Sequence, residues 1–123
     1  MPDPRRALGD LGERLAEQHL LAKGYVIRER NFRIREGEID LIAENNGTLV
    51  FVEVRARRGS RMGTAIESLT PAKQRRLVAL AEAYGQLHED LPNDQRIDVI
   101  ALDLSVGGQL LSVEHIEGAV WAE

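Results

Sequence analysis

Cysteine is absent from the 123 residues, which excludes disulfide scaffolds, thiol nucleophiles, iron–sulfur ligation and zinc ribbons. Aromatic residues are scarce. Tyr25, Phe32, Phe51, Tyr84 and Trp121 are the whole set, too few for the stacking platforms that bind single-stranded nucleic acid. No run of about 18 apolar residues exists to span a membrane, and the opening Met1-Pro2-Asp3-Pro4-Arg5-Arg6 holds no apolar signal core. The expectation is a cytoplasmic protein with no membrane partner. Linkers, internal repeats and low-complexity tracts are also missing, so residues 1–123 are expected to form a single domain. A chain of this size buries about two-thirds of its unfolded surface without a metal or disulfide staple. The second part of the chain lacks positive charge. Residues 77–123 hold Arg96 alone against nine acidic residues, whereas residues 1–76 hold 15 basic and 11 acidic ones. The net charge of −4 therefore divides into +4 and −8, and it is the local field, not the total, that attracts a polyanion.

Leu8, Leu11, Leu15, His19 and Ala22 recur at helical spacing and predict a helix over residues 5–23, stopped by Gly24. Residues 25–34 mix β-branched and aromatic side chains with Arg28, Arg30 and Arg33, as a partly exposed strand does. Residues 38–44 alternate, Asn46-Gly47 is a two-residue hairpin signal, and residues 48–57 are the most β-prone run. A loop over residues 57–68 leads to Thr70-Pro71, read as N-cap and first helical position. That helix extends to residue 88, with Leu77, Val78, Ala81, Tyr84 and Leu87 inward. Residues 97–104 form a buried strand, Gly107-Gly108 a turn, and residues 109–116 the partner strand. The order αβββαββ predicts an α/β fold, a mixed central sheet flanked by helices, with a parallel crossover between the third and fourth strands.

With Asn46 and Gly47 as the loop, Asn45 faces Thr48. The register then sets Asp40 opposite Glu53 and Glu38 opposite Arg55. Directly opposed residues share a face, with Cβ atoms about 4.5–5.5 Å apart, and a loop longer by one residue would turn Asp40 away. Asp40 lies among Ile39, Leu41 and Ile42, and Glu53 among Val50, Phe51, Val52 and Val54. Two carboxylates so placed share a proton or a cation. Ligands of oxygen alone select a hard ion, Mg²⁺ or Mn²⁺, which polarises a phosphate and lowers the pKa of bound water. Spacing alone fits equally a cross-strand charge ladder in which Glu53 pairs Arg55 or Arg57 on a solvated face.

Arg57, Arg58 and Arg61 follow the carboxylates, with Arg75 and Arg76 on the next helix. They would track a phosphate backbone without reading bases, or stand as a solvated charge run balanced by Glu67 and the acidic second part. His19, His88 and His115 are far apart in sequence and expected in packing or surface roles. No Gly-x-Ser-x-Gly elbow exists, and Gly59-Ser60-Arg61-Met62-Gly63-Thr64 lacks the lysine of a phosphate loop.

Three segments, Gly12-Glu13-Arg14-Leu15-Ala16, Gly37-Glu38-Ile39-Asp40-Leu41-Ile42 and Val50-Phe51-Val52-Glu53-Val54-Arg55, resemble the YraN-like family (uncharacterised protein family UPF0102). Asn31-Phe32-Arg33, Gly63, Lys73 and Arg96-Ile97-Asp98-Val99 fit it too, so the resemblance spans residues 9–117. That family is similar to the PD-(D/E)xK nuclease superfamily, especially the archaeal Holliday-junction resolvases. The resemblance implies a restriction-endonuclease-like core and a metal-dependent endonuclease that hydrolyses phosphodiesters in duplex or branched DNA. It implies Asp40 and Glu53 as ligands of Mg²⁺ or Mn²⁺, with Glu13 reaching in from the first helix, and it makes a homodimer an expectation.

One position departs from the pattern: the superfamily's lysine, two residues after the glutamate, is Arg55 here. Arginine stays protonated and presents a fork of donors. Arg55 would clamp the scissile phosphate and stabilise its developing charge but would not act as a general base. Lys73 is the nearby lysine, expected as a solvated side chain or a phosphate contact, and Gln74 is a weaker candidate for reaching the site. The departure leaves a second reading, a non-catalytic DNA-binding module with a degenerate nuclease site. A third is a protein-interaction domain that uses the acidic second part.

Overall fold

The computed structural model describes residues 3–59 and 66–120. Asp3 starts the first helix (α1, Pro4–Ala22) by accepting the Arg5 amide at 2.9 Å, with Pro4 in the opening turn. Gly24, at φ +87°, ends it. The fully buried stripe is Gly12, Ala16 and Leu20. The expected face is thus rotated by one residue: Leu8, Leu11, Leu15 and His19 are half-buried flanks, and Ala22 is exposed. Small residues occupy the stripe because the helix lies close on the sheet. A Cβ built on Gly12 would stand 2.7 Å from the Cβ of Ala56, a clash that no rotamer change relieves. Gly12→Ala is expected to destabilise the fold by about 1–3 kcal/mol, read as a lowered urea midpoint. An unchanged midpoint would contradict the close approach.

Three antiparallel strands follow: β1 (Val26–Ile34), β2 (Gly37–Asn45) and β3 (Thr48–Arg58). Asn46 and Gly47, at φ +49° and +79°, form the two-residue turn. Leu41 therefore pairs Val52, Ile42 pairs Phe51 and Ala43 pairs Val50, in the predicted register. A short 3-10 turn at Ile66–Ser68, too brief for periodicity to reveal, leads to Thr70, whose hydroxyl accepts the Lys73 amide at 3.2 Å and caps α2 (Pro71–Leu87). The crossover returns the chain to β4 (Asp94–Leu104), parallel to β3 along its length. The antiparallel β5 (Leu110–Val120) completes a sheet of order β1-β2-β3-β4-β5.

Each helix covers one face. Ala16 and Leu20 of α1 pack with Leu41, Val50, Val52, Ile100 and Leu102. Leu77, Leu80 and Tyr84 of α2 pack with Ile39, Ile42, Phe51 and Val99. Leu87 is not inward as expected: it ends the helix 65% exposed, and Leu80 takes the buried position. The architecture is α/β, a mixed five-stranded sheet with two helices, consistent with a restriction-endonuclease-like core. Among the described residues no helix is long and apolar enough to cross a membrane.

Candidate active site

Regular alternation would put Ile39 and Leu41 on one face of β2. Instead Ile39 packs on the α2 side and Leu41 on the α1 side, so the strand turns at Asp40. The ladder to β3 ends at the same level, with Leu41↔Val52 its last pair. The Asp40 side chain reaches across, its Oδ2 accepting the Val54 amide at 2.8 Å. Asp40 and Glu53 are therefore not a ladder pair, but their carboxylates are neighbours. Burial first, and then the charge of Glu53 and a hydrogen bond with it, push the pKa of Asp40 up to about 8. Two like charges this close disfavour both being ionised together.

Arg55 lies two residues beyond Glu53, on the same face of β3. Its Nη1 is 4.0 Å from Glu53 Oε2, too far for a hydrogen bond. Its Nε donates to Ser68 Oγ and its Nη2 to the Ser68 carbonyl, each at 3.2 Å. Lys73 Nζ donates to the same carbonyl at 3.4 Å. Two cations thus converge on Ser68, beside Glu53. Glu38 does not face Arg55 as the register predicted. Because β2 and β3 have parted, it pairs across β1 with Arg33 at 3.0 Å. Gln74 Nε2 donates to the Leu69 carbonyl at 2.9 Å, fixing the entry to α2.

Glu13 comes from α1, and its Oε1 accepts from Asn31 Nδ2 at 2.6 Å. Burial raises its pKa, the hydrogen bond from Asn31 offsets part of that rise, and the charges of Asp40, Glu38 and Asp10 add to it. Glu13 is therefore within electrostatic range of Asp40. Among the described residues, however, no three Asp, Glu or His side chains converge tightly enough to enclose an ion. Asp40 and Glu53 form the close pair, and Glu13 is an outlying third charge. A cavity of about 480 Å³, bounded by Arg6, Glu13, Asn31, Arg33 and Glu38, opens on the Glu13 side. The pair is half-buried and offers oxygen ligands alone, and among the described residues its nearest cation, Arg55, stands 4.0 Å from Glu53, so the donor set fits a hard divalent ion.

The model of the uncharacterised protein family UPF0102 matches residues 12–102. The chain belongs to this family. It is 48% identical to a UPF0102 protein of Roseiflexus castenholzii over 122 residues, 98% of each chain. It is 49% identical to one of Symbiobacterium thermophilum over 105 residues, 85% of this chain and 89% of that one. Identity to one of Chlorobium chlorochromatii is 40% across 99% of this chain and 97% of that one.

In this UPF0102 chain the basic residues expected beyond the carboxylates separate. Arg57 pairs with Asp103 of β4, Nε to Oδ1 at 3.1 Å. Arg58, Arg75 and Arg76 are exposed, and Arg61 lies outside the described residues. Arg76 stands over the β1–β2 turn, its Cδ 3.4 Å from where a Cβ on Gly37 would be. Arg6, Arg33, Asn31 and Ser68 join the site although sequence reasoning did not assign them to it. The Asn31-Phe32-Arg33 segment of the family resemblance was the available signal, and Ser68 had none.

A second polar cluster lies apart from the carboxylate pair. Asp98 is fully buried. It is bonded to His115 Nε2 at 2.8 Å, Arg96 Nε at 3.0 Å and the Gly118 amide at 2.9 Å. Lys23 Nζ lies 2.9 Å from the other nitrogen of His115, and the His19 and His115 rings meet edge-on at 5.4 Å. These histidines pack, as expected, but they are neighbours in space.

Proposed function

We propose that this chain is a metal-dependent endonuclease that hydrolyses phosphodiesters in duplex or branched DNA. The observation that carries the reading is the Asp40–Glu53 carboxylate pair at the opening between β2 and β3, where the Val54 amide holds Asp40 at 2.8 Å and burial beside Glu53 raises the Asp40 pKa. Mg²⁺ or Mn²⁺ bound there would polarise the phosphate and lower the pKa of a bound water. Asp40 and Glu53 would hold it, with the Val54 amide fixing the orientation of Asp40 and Glu13 adding negative charge from α1. Arg55 would turn donors from Ser68 to the scissile phosphate and stabilise its developing charge, and Lys73 would contact the same or a neighbouring phosphate. Arg58, Arg75 and Arg76, together with Arg6 and Arg33, would contact the backbone without reading bases. Arg57, drawn to Asp103, would contribute less, and the proposal for Arg61 rests on the sequence alone. Action in the cytoplasm and pairing into a homodimer belong to the same reading.

The test is a cleavage panel of duplex, flap and four-way-junction DNA across divalent ions. The expected result is Mg²⁺- or Mn²⁺-dependent cleavage that falls at least about 10²-fold with Asp40→Asn or Glu53→Gln. Cleavage that survives both substitutions in clean preparations would overturn the assignment. The two bonds that tie Arg55 to Ser68, and its replacement of a lysine, favour one other reading, a DNA-binding module without turnover. Its signature is binding that weakens steeply with salt and no cleavage with any divalent ion.

A further inference from the structure

Three described residues other than glycine have positive φ: Asn31, Asn46 and Asp90. Asn46 lies in the β2–β3 turn and Asp90 in the bend after α2, but Asn31, at φ +52°, lies inside β1. A left-handed residue within a strand costs stability and persists where the surroundings use it. Asparagine tolerates that conformation better than most residues. The β1–β2 register runs through Arg30↔Leu41 and Phe32↔Ile39, which leaves Asn31 across from Asp40. Both strands thus depart from regular geometry at one level, and that level is the carboxylate site. The Asn31 amide leaves the strand toward α1 and donates to Glu13 Oε1 at 2.6 Å.

We infer that Asn31 is a positioning residue. Its left-handed backbone aims the side-chain amide at Glu13 and fixes that carboxylate as the third negative charge of the Asp40–Glu53 ion site. A glutamate projecting from a helix has three rotatable bonds and no fixed aim of its own, so a donor from the sheet decides where its charge stands. A neutral amide suits the task, because an arginine at this place would orient Glu13 and cancel its charge together. The inference rests on the divalent-ion reading of the site but not on cleavage.

The experiment measures Mn²⁺ binding to the full chain by calorimetry, alongside urea midpoints without the ion. Asn31→Gly keeps the backbone conformation and removes the amide, whereas Asn31→Ala removes the amide and also strains the backbone. Both are expected to weaken Mn²⁺ binding by about 10- to 100-fold, the usual effect of losing a partner that orients a ligand, and Asn31→Ala alone is expected to lower the midpoint. Glu13→Gln should weaken binding similarly, and combining it with Asn31→Gly should weaken it no further. Wild-type affinity in Asn31→Gly would overturn the positioning role, as would full additivity with Glu13→Gln. Absence of Mn²⁺ binding by the wild type at millimolar concentration would overturn the ion reading and this inference with it.

Discussion

Asp40→Asn is expected to stabilise the ion-free protein at pH 8 while removing its capacity to gain stability from Mn²⁺. The folded pKa of Asp40, about 8, lies above its ordinary value of 3.8, so between those values the native state binds more protons than the unfolded chain. The stability this proton brings is complete below the unfolded pKa and is lost as pH rises through the folded one. An asparagine at position 40 can accept the Val54 amide through its oxygen and donate to Glu53 through its nitrogen, reproducing the shared proton in a form that does not titrate. The advantage of the variant should be near zero at pH 4 and grow to pH 8. There it reaches on the order of 1–4 kcal/mol, taking about 1.4 kcal/mol for each pKa unit and allowing for solvent screening. Urea midpoints across pH in a chelator check this, and a difference independent of pH would contradict it. With Mn²⁺ added the order should reverse, because an ion bound only by the native state stabilises the wild type by mass action.

The largest loss of stability is expected from Asp98→Ala. Burial pushes the pKa of Asp98 up, but hydrogen bonds from His115, Gly118 and Arg96 outweigh it and hold the carboxyl below its ordinary value. Arg96 continues the cluster to Tyr25 Oη at 2.6 Å and Glu117 at 3.2 Å. Removing the carboxylate leaves His115 and the Gly118 amide without this acceptor in the interior and takes one of three partners from Arg96. The expected cost is about 3–5 kcal/mol, a large share of the stability of a domain this size. Asp98→Asn should be milder, since it keeps an acceptor for Gly118. The pH dependence here has the opposite sign to that of Asp40. The Asp98 contribution is complete above 3.8 and is lost as pH falls through its depressed value. His19, lowered by burial and then by the charges of His115 and Lys23, likewise disfavours the native state as pH falls below 6.5. Both acid-side losses are read from urea midpoints, with Asp98→Asn as the control.

The carboxylate pair was legible because a local signal, Asn46-Gly47, sets the register of β2 against β3, and five pairs from Asn45↔Thr48 to Leu41↔Val52 obey it. The register failed for Glu38 and Arg55 because the strands part at Asp40. The break lies between Ile39 and Leu41, and the run Leu41-Ile42-Ala43, buried on both faces of the sheet, hides it from a hydropathy pattern. Hydropathy gives Gly12 little weight and so points to the wrong face of α1, although close approach to Ala56 leaves no room for a side chain there. Asp98 stands in the sequence as a lone charge in an apolar run. Its partner His115 depends on a β4–β5 register that shifts between Ile97 and Val99, and no turn residue encodes that shift. Arg57 reads in the sequence as a DNA contact because its partner Asp103 comes from a strand 46 residues away. The backbone of Asn31 leaves no trace in composition or spacing.

The central claim is that Asp40 and Glu53 together form a hard-ion site, and calorimetric titration of the full chain with Mn²⁺ at pH 8 tests it most directly. The expected result is saturable binding by the wild type and a loss of more than about tenfold in affinity for both Asp40→Asn and Glu53→Gln. Undiminished binding by the two variants would contradict it.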